Sequence, residues 1–222
     1  MSSNDNTSGD LSLDRLVFFS DAVFAIAITL LVLDIHVPSL PRVVSVADSW
    51  AAFADLTPSF FAFALSFLVI GRFWMGHHER FRSLNHFDAR LMWPNMLYLL
   101  AIAFMPFATA FLGQNLGHFV PELVYNCSML VLALAAYWLA AVVRAVGGDK
   151  DRPYDGVDLI LAALVCIGLT FWQPLLSQWG MMTIPLWSRL ENRLYSRRGV
   201  RAVGQRRPAS IVRALMGKRS ER

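Results

Sequence analysis

Polar and ionisable side chains interrupt a long apolar stretch near the start of the chain. The stretch Leu13–Ile35 is almost entirely apolar, yet it contains Arg15, Ser20, Asp21 and Thr29. An ionisable group inside a membrane helix is costly unless it faces protein or a water path. These side chains therefore indicate either a helix whose polar end lies at the headgroups or a helix that borders a water-filled pore.

The spacing of these residues predicts a helix with two different sides. A stretch of this length can cross a hydrocarbon core of about 30 Å as a helix. At about 100° per residue, one side carries small, branched and hydroxyl side chains. These residues are Arg15, Phe19, Ala22, Ile26, Leu30 and Leu33, with Thr29 at the edge. The Asp21 carboxylate falls nearly opposite and needs a partner, for which Arg15, Arg72 and two histidines are candidates.

A second polar cluster follows the next apolar stretch, where residues 73–78 have the sequence FWMGHH. A metal site built from His77, His78 and Glu79 is disfavoured, because adjacent histidines point about 100° apart on a helix. A structural clamp between the first two helices is the simpler interpretation. A pH-responsive gate is the functional alternative, since histidine titrates near neutral pH.

Composition places the chain among membrane proteins, since 56% of its 222 residues are hydrophobic. The apolar segments follow one another without a soluble insert. We therefore predict an all-α membrane protein with one domain, residues 11–190, of six transmembrane helices. The predicted spans are Leu13–Ile35, Trp50–Trp74, Leu91–Leu112, Leu123–Val143, Val157–Trp172 and Pro174–Trp187.

The distribution of basic residues predicts the orientation and the roles of both ends of the chain. With six spans, all Lys and Arg residues except Arg42 fall on one side of the membrane, so the positive-inside rule places both termini in the cytoplasm. Residues 1–10 are polar and are predicted to form a disordered cytoplasmic N-terminus. Residues 191–222 form a basic tail, which we expect on anionic lipid headgroups rather than on nucleic acid.

Two motifs resemble those of a known channel family. Residues 15–21 match the pattern R-x-x-x-F-S-D, and residues 73–78 match F-W-x-x-H-H. At the first span and at the end of the second, these motifs resemble the signature of the transmembrane protein 175 family, potassium-permeable channels of endolysosomes and bacteria. Because the chain has room for one six-span repeat, it resembles the bacterial form, which assembles as a homotetramer.

The resemblance implies a potassium-permeable cation channel in a bacterial plasma membrane. Four copies of the first helix would line a central pore, with a hydrophobic constriction at Ile26 and a pore threonine at Thr29. Leu30 and Leu33 would add further apolar rings, and K⁺ would be a permeant ion rather than a bound cofactor. The signature residues would form a structural network: Arg15, Phe19, Ser20, Asp21, Trp74, His77 and His78.

A secondary transporter of a cation or a small solute is the alternative function. Transporters favour a polar midplane and internal repeats with broken helices, and neither is evident in this sequence. An enzyme is not expected, because the chain lacks G-x-S-x-G, H-E-x-x-H and phosphate-binding glycine motifs. It also lacks T-V-G-Y-G, the sequence of a carbonyl-lined potassium filter, so ion selectivity would have to come from side chains.

Overall fold

The computed structural model describes residues 3–147, 156–184, 186, 187 and 189, and all regular structure in this part is helical. The predicted all-α class is therefore confirmed. A 3-10 turn at Ala89–Leu91 precedes the fourth helix, and a 3-10 segment at Pro174–Thr183 follows the sixth. The α-helices are α1 (Ser3–Leu33), α2 (Val46–Ala54), α3 (Thr57–Arg82), α4 (Met92–Gln114), α5 (Phe119–Ala145) and α6 (Val157–Trp172).

Four helical stretches of the described chain are long and apolar enough to cross a membrane. They are Leu11–Leu33, Val46–Arg82, Ala89–Gln114 and Phe119–Ala145, and they correspond to the first four predicted spans. The fifth predicted span has the expected bounds, but α6 contains only 16 residues. At 1.5 Å per residue its length is about 24 Å, less than the ~30 Å thickness of a hydrocarbon core.

The sixth predicted span has a different form. Residues Pro174–Thr183 make a 3-10 segment rather than an α-helix, and this segment folds back against α6. α6 ends at Trp172, and the next residue, Gln173, is extended, as is usual for a residue that precedes a proline. Pro174 itself has no N–H to donate to a continuing helix. At Gly180 the segment comes so close to α6 that an added Cβ would lie 2.6 Å from the Cys166 Sγ. The six-span layout therefore stays a prediction.

The second predicted span divides into two helices. α2 ends at Ala54 and α3 begins at Thr57, with Pro58 in its first turn, where a missing N–H costs nothing. α3 then continues to Arg82, eight residues beyond the predicted end of the span at Trp74. As a result, both histidines of the second motif lie on α3.

The two ends of the chain differ in how much of them is described. α1 begins at Ser3, so the helix includes most of the segment 1–10, for which composition predicts disorder. Elongation of an existing helix is much less costly than nucleation, which explains the continuation from the apolar stretch. The predicted basic tail, residues 191–222, lies outside the described residues.

The core lies between α1, α3, α4 and α5. α4 is central, because it packs against α1, α3 and α5 and buries residues such as Tyr98, Ile102 and Met105. One stripe of α1 faces this core, whereas the other side of the helix is exposed. The buried stripe consists of Leu13, Leu16, Ser20, Phe24, Ala27 and Leu31.

Candidate functional site on the first helix

The predicted pore residues all lie on the exposed side of α1. We call Ile26, Thr29, Leu30 and Leu33 the candidate pore face. The Ile26 side chain, for example, is 58% exposed. The buried stripe on the other side of the helix holds α1 against the core. The candidate pore face is therefore available to whatever surrounds the single chain, whether lipid, water or further copies.

Thr29 presents an oxygen atom rather than a proton to its surroundings. Its hydroxyl lies 2.9 Å from the carbonyl oxygens of both Ala25 and Ile26, to which it donates within the helix. A hydroxyl has one proton and two lone pairs. Because the proton is used inside α1, the exposed side of the oxygen can only accept. Such an oxygen is suited to a passing cation.

The buried side of α1 is tied to two other helices by a chain of hydrogen bonds. The Ser20 hydroxyl donates to the carbonyl oxygen of Leu16 at 2.8 Å, and it accepts from the Asn95 amide at 3.0 Å. The Asn95 amide oxygen lies 2.9 Å from Nε2 of His77. Ser20, Asn95 and His77 are all fully buried. This polar network therefore joins α1, α4 and α3 inside the core.

The network determines the protonation of His77. An amide oxygen can only accept, so Nε2 of His77 carries the proton and donates it to Asn95. The other ring nitrogen, Nδ1, is buried without a hydrogen-bond partner among the described residues. The His77 ring also stacks on Phe81 and Tyr98, with centroids at 4.3 Å and 5.7 Å. A second proton would find no acceptor at Nδ1, so this geometry favours a neutral histidine that clamps the helices.

The Asp21 carboxylate bonds to a tryptophan rather than to Arg15, Arg72 or one of the two histidines that the sequence offers as partners. It is half-buried and accepts a hydrogen bond from Nε1 of Trp74 on α3 at 2.9 Å. The Trp74 ring in turn lies 5.8 Å from the ring of His78. Arg72, a candidate partner of Asp21, lies 3.9 Å from Asp158 of α6. The expected contact between α1 and α3 is present, but an indole N–H makes it.

The structure does not bring every signature residue together. Ser20, Asp21, Trp74, His77 and His78 meet at the contacts of α1 with α3 and α4, whereas Arg15 and Phe19 are exposed on the other side of α1. The two adjacent histidines point into different surroundings, because His77 is buried and His78 is exposed.

Sequence reasoning missed the residue at the centre of this network. Asn95 follows Pro94 in an otherwise apolar span, and a lone asparagine at such a position was the available signal. Its importance comes from its two contacts, with Ser20 and His77, which lie on different helices.

A second buried cluster, which the sequence did not predict, ties α5 to the 3-10 segment. The fully buried Glu122 accepts hydrogen bonds from the backbone N–H of Gly117 at 3.1 Å and from Ser177 and Gln178, both at 2.6 Å. Three donors compensate the carboxylate for its loss of water. The available signal is an acid directly before the predicted span Leu123–Val143.

Comparisons with known proteins point to one family. A family profile described as the endosomal/lysosomal potassium channel TMEM175 matches residues 15–106, which include both sequence motifs. A protein named as a potassium channel of Streptomyces collinus is 42% identical over 130 residues, which are 56% of this chain and 62% of that protein. A second, from a Chryseobacterium species, is 31% identical over 145 residues, 64% of this chain and 71% of that protein.

A solved structure matches over most of the fold. The crystal structure of a lysosomal potassium-selective channel TMEM175 homolog from Chamaesiphon minutus superimposes with a TM-score of 0.68. The two sequences are 30% identical, and the match covers 82% of this chain and 98% of that one. The alignment with the Streptomyces relative, in contrast, spans less than two thirds of that protein.

Proposed function

This chain belongs to the TMEM175 family, and we propose that it works as a potassium-permeable channel whose pore is lined by α1. The observation that carries the proposal is the exposed candidate pore face, which includes a threonine whose oxygen can accept from its surroundings. The names of the bacterial relatives, which are called potassium channels, support the same activity.

The proposed pore requires several copies of the chain. One chain offers one exposed face of α1 and cannot enclose an axis with it, so we propose a homotetramer with four α1 helices at the centre. The buried stripe of α1 would hold each pore helix against its own α3 and α4. Mass measurement in detergent tests the assembly, and a protein that is only monomeric under all mild conditions would contradict it.

The proposed constriction works by excluding water. Four Ile26 side chains around the axis would form an apolar ring, and a hydrated ion gains nothing from carbon atoms. Potassium would cross only when this ring is wide enough to stay wet. Thr29 lies three residues further along α1, about 4.5 Å, and would offer hydroxyl oxygens next to the ring.

The membrane location and orientation complete the proposal. The chain is a multi-pass membrane protein, and we place it in a bacterial plasma membrane with both termini in the cytoplasm. α1 would then run outward and α3 inward. The basic tail would lie on anionic headgroups.

Recording from the purified protein in a planar bilayer tests the channel activity. Unitary current steps in potassium solution are the expected result, whereas smooth, saturable flux without steps would indicate a secondary transporter.

Replacement of Ile26 tests the choice of face. Ile26→Asn should wet the constriction and raise the basal current. Val32→Asn is the matched control, because Val32 is 50% exposed but points about 120° away around α1. If Val32→Asn raises the current and Ile26→Asn does not, another side of the helix lines the pore.

A further inference from the structure

A half-open groove runs along α3, on a side of the bundle that the proposed pore does not use. It lies between α3, α6 and the 3-10 segment, with a volume of about 330 Å³. Its walls are almost entirely apolar and include Phe61 and Leu68 of α3 and Trp179 and Met181 of the 3-10 segment. From Phe61 to Arg72 the groove follows α3 for about 16 Å.

One cation lies at the end of this apolar groove. The Arg72 side chain is 39% exposed and lies within a membrane-spanning stretch. Its ion-pair contact is Asp158 at 3.9 Å, and no described residue makes a hydrogen bond to Arg72. The Oδ2 atom of Asp158 is the one near Arg72, whereas its Oδ1 accepts a hydrogen bond from the backbone N–H of Leu159. A guanidinium has five N–H donors, so Arg72 keeps donors for a further anion.

The size of the groove limits what can occupy it. An α-helix about 10 Å wide could lie across the mouth of this half-open groove but not within it, because the space inside is only about 330 Å³. An extended hydrocarbon chain fits a narrow, apolar groove of this length. Asp158 at 3.9 Å meets part of the need of the Arg72 guanidinium for an anion, and the donors that remain can bind a second anion within the membrane span. The occupant therefore needs an apolar chain and an anionic head.

We propose that this groove binds an anionic phospholipid, with an acyl chain along α3 and the phosphate at Arg72. The choice of leaflet rests on the proposed orientation of α3. Arg72 lies in the half of α3 nearest the cytoplasmic side, and the cytoplasmic leaflet carries the anionic lipids that attract basic side chains. Binding to the purified protein does not depend on ion conduction, so it can fail while the channel proposal holds.

Lipid binding to the full-length protein in detergent tests the proposal. Phosphatidylglycerol and phosphatidylcholine are compared by native mass spectrometry and by the shift of the thermal unfolding midpoint. We expect phosphatidylglycerol to bind preferentially, and Arg72→Gln to weaken its binding at least tenfold. Arg82→Gln is the matched control, because it makes the same change of charge on the same helix outside the groove. This control should retain the lipid.

A second variant tests the groove without a change at Arg72, and it is needed if Arg72→Gln does not fold or assemble. Leu68→Trp places an indole in the groove and leaves the charge of Arg72 unchanged, and the 71% exposure of Leu68 makes the larger side chain tolerable. This variant should also lose phosphatidylglycerol. The proposal is overturned if either variant binds this lipid as the wild type does, or if the wild type binds phosphatidylcholine equally well. A change of oligomer mass in Leu68→Trp without loss of lipid overturns it too.

Discussion

Replacement of Asn95 by leucine tests the conclusion that His77 clamps the helices. Leucine has nearly the shape of asparagine, so the core stays filled while both side-chain hydrogen bonds of residue 95 are lost. Those bonds are the 3.0 Å contact with Ser20 and the 2.9 Å contact with His77. The Ser20 hydroxyl keeps its bond to the Leu16 carbonyl at 2.8 Å. The N–H of His77 is therefore the group that is left buried without an acceptor.

The expected loss of stability follows from these two changes. A buried donor without a partner costs roughly 1–3 kcal/mol. A lost hydrogen bond between membrane helices costs about 0.6 kcal/mol on average. Asn95→Leu should therefore lower the free energy of unfolding by about 1.5–3.5 kcal/mol.

A double variant separates the cost of the hydrogen bonds lost at residue 95 from the cost of the buried His77 N–H that has no acceptor. In Asn95→Leu/His77→Phe, the ring remains stacked against Phe81 and Tyr98 but has no N–H to strand. Removal of both polar partners can be nearly neutral when the shape is kept. The double variant should therefore be more stable than Asn95→Leu alone. The measurement is unfolding in mixed detergent micelles, followed by tryptophan fluorescence.

Two results would refute this reasoning. The single variant His77→Phe completes the cycle. If the losses of unfolding free energy in Asn95→Leu and His77→Phe sum to the loss in the double variant, the two residues are not coupled as their 2.9 Å contact requires. If Asn95→Leu leaves stability unchanged but shifts the pH dependence of the current, the histidine acts as a proton sensor rather than as a clamp.

Two further predictions concern α1. Trp74→Phe removes the N–H that donates to Asp21 and keeps an aromatic ring. It should lower the free energy of unfolding by only about 1–2 kcal/mol, because the half-buried carboxylate can bond to water instead. A loss above ~3 kcal/mol, as for a broken buried ion pair, would mean that Asp21 has another charged partner in the assembly. Thr29→Val keeps the side-chain shape but removes the oxygen, so the reversal potential between potassium and sodium solutions should shift. An unchanged reversal potential would place Thr29 away from the ion path.

The positions of the main helices and the two sides of α1 could be predicted from the amino-acid sequence alone. Apolar length placed the first four spans, and α6 has the predicted bounds 157–172. Helical periodicity put Ile26 and Thr29 on one side of α1, and both are exposed there. These features are local, because they depend on hydrophobicity and on a repeat of 3.6 residues along one helix.

The pairs of side chains that meet between helices, in contrast, could not be predicted from the sequence. The sequence offers Asp21 two arginines and two histidines as partners, but its carboxylate accepts a hydrogen bond from Trp74, while Arg72 lies beside Asp158. The sequence likewise gives no indication that Asn95 lies between α1 and α3, or that Gly180 packs against Cys166. Such contacts depend on the angle and rotation at which helices cross. Those are decided by packing over the whole bundle and not by the residues of any one helix.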